Sequence, residues 1–253
     1  MAQLHRVAHR GYSAVAPENT LPALAAGVLA GATFIEFDVR TTADGVPVVI
    51  HDRTVDRTTS GSGKVWELTC DEVAGLDAGS WFSPAYTGIG VPRLTQVLDL
   101  LAPSEQVELL LEIKPPATLE QVKNIIGQVT DAGLPARTVV QSFDPAIVRL
   151  AGEVAPDVRR GLLRDPFDDE QVAVAQELGI TYCNPSMNAV LGSPATVAAL
   201  AGIGVSVMPW TANDMLLWPD LAAAGVAGLI TDHTGELTGW AQNVSSGACA
   251  SSG

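Results

Sequence analysis

Short Val- and Ile-rich runs alternate with Ala- and Leu-rich stretches along nearly the whole chain, and this alternation is what most restricts its fold. The runs that read as strands are Arg6–His9, Thr33–Val39, Val46–Ile50, Val107–Ile113, Thr138–Ser142, Val158–Leu163, Ile180–Cys183, Val205–Trp210 and Gly228–Thr231. Between most of them lie amphipathic segments such as Pro145–Val154 and Asp169–Leu178, which end near Gly as helices often do. Continuously apolar strands alternating with helices indicate a parallel sheet covered by helices. There are nine runs, and Asp44-Gly45 accounts for the odd one. No helix fits between Thr42 and Val46, and Asp-Gly is a strong hairpin signal, so Val46–Ile50 is expected to fold back antiparallel. Eight parallel strands remain, as a (β/α)8 TIM barrel needs. Such barrels run to about 250 residues, and this chain has 253.

The longest interval between barrel strands, residues 52–105, is rich in Gly, Ser, Thr and Pro, with helical stretches near Thr69–Leu76 and Leu94–Leu101. It lacks the apolar content to bury a core alone and reads as a small insertion, with a following helix, lying over the catalytic face. Residues 1–242 are therefore expected to form a single barrel domain, and the Ser-, Gly- and Ala-rich stretch 243–253 a disordered tail.

The net charge of −14 excludes a general nucleic-acid binder, which needs a basic surface. A small anionic substrate remains open, provided that a metal ion or a few basic groups concentrate positive charge at the site. Cys70, Cys183 and Cys249 are far apart, odd in number and form no CxxC pair, which argues against a disulfide framework or a zinc knuckle. The most apolar stretch, Leu21–Ile35, is broken by Pro22, two glycines and Thr33 and is too short to span a bilayer. No secretory-type leader is apparent, so the expectation is a cytoplasmic protein without stable membrane insertion; a homo-oligomer stays open.

Functional residues of an α/β barrel lie at the C-terminal ends of its strands. Here those ends carry His9-Arg10-Gly11, Glu36-Phe37-Asp38, His51-Asp52, Glu112-Ile113-Lys114, Gln141-Ser142, Trp210-Thr211 and Asp232. Glu36 and Asp38 are two apart, so both face one way while Phe37 faces the other. Glu112 and Lys114 repeat the pattern. Carboxylates converging in a barrel mouth repel unless a cation sits among them, and hard oxygen ligands without Cys favour Mg²⁺ or Ca²⁺ over zinc. Glu112 reads either as a metal ligand or as an ion-pair partner of Lys114. A lone His is usually structural, but His9 and His51 stand at adjacent strand ends beside this cluster, where one can take a proton and the other give one. Arg10 and Lys114 suit a phosphate. His5 and His233 read as structural or surface residues.

Two features read as decoys. Ser60-Gly61-Ser62-Gly63-Lys64-Val65 suggests a P-loop, but Thr58 stands where the first Gly belongs, Val65 replaces the metal-binding Ser or Thr, and no strand precedes it. Asn19, with Glu18 before it, reads most simply as the N-cap of a helix starting near Leu21, a role for Glu18 in the site being the lesser reading.

In order along the chain, His9-Arg10-Gly11, Pro17-Glu18-Asn19-Thr20, Glu36-Phe37-Asp38-Val39, His51-Asp52, Asp56-Arg57-Thr58-Thr59, the Asp77–Phe82 run, Glu112-Ile113-Lys114, Gln141-Ser142-Phe143, Trp210-Thr211-Ala212-Asn213 and Ile230-Thr231-Asp232 resemble the successive signatures of the glycerophosphodiester phosphodiesterase family. The resemblance covers about residues 6–238. It implies one divalent cation held by Glu36, Asp38 and Glu112, acid/base roles for His9 and His51, and substrate contacts from Arg10, Lys114, Gln141 and Trp210. The implied reaction is hydrolysis of small glycerophosphodiesters to sn-glycerol 3-phosphate and an alcohol. Two departures, His233-Thr234 where Arg-Pro is common and Ala212 where Val is usual, lie outside that chemistry. The alternatives are a lysophospholipase D-type enzyme, whose acyl groove Trp81, Phe82 and Tyr86 would have to supply, and a non-catalytic protein that binds a phosphate ligand.

Overall fold

The computed structural model describes residues 4–250, Pro166 and Asp169 apart, and of 245–250 the backbone alone. The strands are β1 (His5–Ala8), β2 (Phe34–Thr41), β3 (Pro47–Val49), β4 (Glu108–Ile113), β5 (Thr138–Ser142), β6 (Arg159–Arg164), β7 (Tyr182–Pro185), β8 (Ser206–Val207) and β9 (Gly228–Thr231). Pairing runs β8-β7-β6-β5-β4-β2-β1-β9, all parallel, with β3 antiparallel on the end of β2 as the Asp44-Gly45 turn predicts. The two ends of this order meet through the Ala227 N–H on the Val207 carbonyl (2.8 Å) and the Ile230 N–H on that of Pro209 (3.0 Å). Eight parallel strands thus form a nearly closed barrel. β8 is shorter than the Val205–Trp210 run suggests, because Pro209 has no N–H with which to continue the ladder.

The helices α1 (Leu21–Leu29), α2 (Cys70–Ala74), α3 (Leu94–Leu101), α4 (Leu119–Asp131), α5 (Pro145–Val154), α6 (Gln171–Leu178), α7 (Met187–Gly192), α8 (Pro194–Gly202), α9 (Trp218–Ala223) and α10 (Thr234–Ala250) complete the chain. The expected segment Asp169–Leu178 is α6 from Gln171 onward, Asp169 lying outside the described residues. α10 carries helical backbone through Ala250, into the stretch read from sequence as a disordered tail; its alanines favour helix, and residues 251–253 lie outside the described ones. No described helix is long and apolar enough to cross a membrane.

The two-residue period of the strands sorts side chains between the barrel interior and the helices. Ile35, Phe37 and Val39 of β2 and Leu109, Leu111 and Ile113 of β4 join the layer packed under the helices. Phe34, Leu110, Val7, Val139, Tyr182, Met208 and Ile230 fill the barrel. On the same faces as Phe34 and Leu110, one and two steps nearer the C-terminal end, stand Glu36, Asp38, Glu112 and Lys114. The apolar plug is thus the floor of the site. The insertion has a small cluster of its own, in which Val55, Val65, Cys70, Val73, Ala78 and Val91 pack on Val48 and Ile50 of the hairpin, whereas α3 packs with the barrel helices.

Candidate active site

The turn after β1 is built around two left-handed residues, Arg10 (φ 56°) and Gly11 (φ 80°). A Cβ on Gly11 would lie 2.4 Å from the Ala23 carbonyl carbon, so only glycine fits. The turn aims the Arg10 N–H at Glu36 Oε2 (2.8 Å), while its guanidinium donates to Glu18 Oε1 (2.7 Å) and brings Nε to 3.5 Å from Asp38 Oδ2. Asn19, at φ 57°, donates its backbone N–H to the Arg10 carbonyl (3.0 Å). The reading of Asn19 as an N-cap is corrected: Thr20 occupies that position, and the Asn19 side chain turns to Asp38. Its amide donates to Asp38 Oδ2 (2.7 Å), and its oxygen accepts the Asp38 N–H (3.1 Å). Asn tolerates the left-handed conformation, which frees it for this partner 19 residues away.

Carboxylate oxygens of Glu36, Asp38 and Glu112, all buried, lie within 4.8 Å of one another. At that separation each pair repels by about 3 kcal/mol for an effective dielectric near 20. Lys114 Nζ stands 2.9 Å from Asp38 Oδ1 and 2.7 Å from Glu112 Oε1, so Glu112 is both ion-paired and part of the cluster. Burial would raise the Asp38 carboxyl, but Lys114 and Arg10 outweigh it and hold Asp38 below the ordinary carboxylate range. Burial and then the Asp38 charge push Glu112 up to about 7, and burial with both neighbouring carboxylates pushes Glu36 well above its usual value. Three acids thus face two bases, Arg10 and Lys114. This all-oxygen donor set, one positive charge short of neutral when fully ionised, fits a hard divalent cation.

Each histidine is backed by an aspartate. His9 Nδ1 is 2.6 Å from Asp232 Oδ1; the same carboxylate accepts from Ser13 Oγ (2.9 Å) and Asn213 Nδ2 (2.6 Å). Burial opposes ionisation of Asp232, yet these donors, His9 first, hold its pKa well below the usual range. His51 Nδ1 is 2.7 Å from Asp52 Oδ1. The Arg57 guanidinium, donating from Nε to Asp52 Oδ2 (2.7 Å), is the main reason that carboxyl is lowered to about 2. Burial lowers the His51 imidazole. With Nδ1 of each ring held by its aspartate, Nε2 is left for the cavity both rings line.

That cavity, of about 130 Å³, brings together His9, His51, Arg10, Lys114, Gln141, Trp210, Glu36 and Glu112. Asp38 lies behind it, against Lys114 and Asn19. Gln141 is hydrogen-bonded to the Asn184 side chain (2.7 Å), Trp210 Nε1 donates to the Asn184 carbonyl (2.7 Å), and Phe143 meets Trp210 edge-on at 5.4 Å. A cleft of about 530 Å³ adjoins it along His9, Arg10, Glu18 and Asp232. Sequence reasoning missed Asn19 and Arg57 as site components and ranked a site role for Glu18 behind a helix start, although all three stand in motifs it singled out. Trp81, Phe82 and Tyr86 stack edge-on among themselves, and Tyr86 Oη donates to the Val15 carbonyl (2.9 Å); none of the three lines the cavity. Lys64 of the rejected P-loop pairs with Glu67 at 2.7 Å on the surface.

The chain matches the Glycerophosphoryl diester phosphodiesterase family over residues 9–236. It is 33% identical over 228 residues to a glycerophosphodiester phosphodiesterase of Caldanaerobacter subterraneus subsp. tengcongensis, an alignment covering 89% of this chain and 93% of that one. A crystal structure of a glycerophosphodiester phosphodiesterase from Agrobacterium tumefaciens superposes with a TM-score of 0.82 at 30% identity, covering 94% of this chain and 100% of the other. A phosphodiesterase from Oleispira antarctica, solved in complex with the product sn-glycerol-3-phosphate, gives 0.82 at 26% identity over 94% of this chain and 96% of its own. Family match, whole-length relatives and barrel agree: the chain belongs to the glycerophosphoryl diester phosphodiesterase family.

Proposed function

We propose that the chain hydrolyses small glycerophosphodiesters to sn-glycerol 3-phosphate and an alcohol, with one divalent cation, Mg²⁺ or Ca²⁺, held by Glu36, Asp38 and Glu112, and with His9 and His51 as the acid/base pair. The observation that carries this reading is the three buried carboxylates within 4.8 Å of one another, in a cavity lined by two aspartate-backed imidazoles. Charge arithmetic supports it. With all three carboxylates ionised, as a bound cation requires, they sum with Arg10 and Lys114 to −1, and a divalent ion turns that to +1, which attracts a phosphodiester monoanion. When bound, the ion supplies Lewis-acid polarisation of a phosphoryl oxygen and neutralises developing charge.

The chain's own residues account for the rest. Arg10 and Lys114 face the cavity and stabilise the added negative charge on the phosphoryl oxygens in the transition state. One imidazole Nε2 takes the proton from the attacking oxygen, and the other gives a proton to the alcohol oxygen as its bond to phosphorus breaks. Asp232 and Asp52 keep each ring in one tautomer and stabilise the imidazolium when it forms. Gln141 and Trp210, braced by Asn184, wall the side of the cavity where they orient the substrate. The buried, unpaired thiols of Cys70 and Cys183 accord with work in the reducing cytoplasm.

The decisive experiment is a coupled assay for sn-glycerol 3-phosphate release from glycerophosphocholine, glycerophosphoethanolamine and glycerophosphoglycerol, with and without chelator. Release that survives thorough chelation excludes the metal role, and tight binding of all three without release excludes the enzyme reading.

A further inference from the structure

Arg57 belongs to the Asp56-Arg57-Thr58-Thr59 run, which the mechanism above leaves without a role. It is nearly half exposed, yet its guanidinium is held by two carboxylates. Nε donates to Asp52 Oδ2 (2.7 Å), Nη2 to Asp52 Oδ1 (3.1 Å) and Glu18 Oε1 (2.8 Å), and Nη1 to Glu18 Oε2 (2.8 Å). Four of its five N–H donors are thereby spent, and it does not line the cavity of the carboxylate cluster. A direct hand on the phosphate is therefore a poor description of it.

What its two partners do is more informative. Asp52 holds His51 Nδ1 at 2.7 Å, and Glu18 Oε1 accepts from Arg10 Nη1 at 2.7 Å. His51 follows the hairpin strand and Arg10 follows β1, so one guanidinium reaches both sides of the cavity. We propose that Arg57 is a positioning residue that sets the His51 imidazole through Asp52 and the Arg10 guanidinium through Glu18.

The insertion holds Arg57 for this purpose. Val55 and Val65 on either side are fully buried in the insertion's cluster. The Val55 N–H donates to the Gly63 carbonyl (3.0 Å), the Gly63 N–H to Asp56 Oδ2 (3.1 Å), and Thr59 Oγ1 to the Val55 carbonyl (2.6 Å). Without Arg57, Glu18 is left to Arg10 alone and draws its charge away from the cavity, while Asp52 loses the donors that fix both its oxygens. A lysine cannot replace it, because one ammonium does not span two carboxylates as a planar fork does.

The inference rests on the reading that His51 and Arg10 serve the reaction, and a mutant cycle tests it. Arg57→Met is expected to lower kcat/KM by about 10- to 100-fold, the range for partners that orient functional groups, with kcat falling through His51 and KM rising through Arg10. In an Asp52→Ala/Glu18→Ala background, where both connections are already cut, the same substitution should change kcat/KM by less than about threefold. Wild-type kinetics in Arg57→Met, or an equal loss in both backgrounds, overturns the inference. His51→Ala assayed alongside separates the two levels: normal turnover there overturns this inference and the acid/base reading together, whereas loss there beside normal Arg57→Met kinetics overturns this inference alone. If Arg57→Met has no cooperative melting transition, Arg57→Lys replaces it, and wild-type kcat and KM in that variant likewise overturn the proposal.

Discussion

Asn19 and Asp38 exchange two hydrogen bonds: the side-chain amide donates to Oδ2 at 2.7 Å, and the Asp38 backbone N–H donates back to Asn19 Oδ1 at 3.1 Å. The pair fixes which Asp38 oxygen faces Lys114 and the neighbouring carboxylates. Asn19→Ala removes both bonds and leaves buried groups without partners, at a cost of about 1–3 kcal/mol each. The expected result is a lower melting temperature and a half-saturating Mg²⁺ or Ca²⁺ concentration for activity raised about 10- to 100-fold. A metal titration of activity, run beside a thermal melt, checks both; an unchanged titration curve would detach Asn19 from the cluster.

His9 and His51 are held alike, each by an aspartate on Nδ1, at 2.6 and 2.7 Å. If they divide the proton transfers between them, neither can cover for the other. His9→Ala and His51→Ala should each lower kcat by about 100-fold or more with circular dichroism and melting close to wild type. Near-normal turnover in either variant removes that residue from the mechanism.

Much of this arrangement was legible because the geometry that makes it is local. A period of two puts Glu36 with Asp38 and Glu112 with Lys114 on one face of their strands, and Asp44-Gly45 folds the ninth run back where no helix fits. What escaped depends on contacts far along the chain or on backbone detail. Asn19 has a helix-capping composition, and nothing nearby in sequence announces that its partner is Asp38. Arg57 acts through Glu18, 39 residues away. The shortening of β8 was visible in principle, since Pro209 has no N–H, but the apolar run around it dominates the pattern.

Asp232 offers a pH test away from the carboxylate cluster. Its folded pKa lies below the unfolded value of about 3.9. Its contribution to stability is fully present above the unfolded pKa and is lost as pH falls through the lower folded one. Asp232→Asn, which gives up the charge-assisted bonds from His9, Ser13 and Asn213, should therefore be destabilised by about 2 kcal/mol at pH 7. The gap to wild type should stay constant down to about pH 5 and shrink below about pH 4. Melting both proteins from pH 3 to pH 7 measures the gap, and a difference that widens on acidification contradicts the assignment.

The carboxylate cluster makes the last prediction, because what it needs for stability and what it needs for function differ. Without a cation, Glu36 is a buried acid beside two others, and its raised pKa records how strongly the fold resists its charge. Glu36→Gln replaces an acid whose ionisation the fold resists with a neutral group, and still offers an oxygen to the Arg10 N–H that Oε2 accepts at 2.8 Å. In the presence of chelator the variant should therefore melt at or above wild type, in the way that relieving a functional site commonly stabilises a protein. Added Mg²⁺ or Ca²⁺ should raise the wild-type melting temperature, since a ligand that binds only the folded state stabilises it, and should leave the variant nearly unmoved and inactive. A variant that still gains stability from the ion and turns substrate over would mean that the ion is held without Glu36.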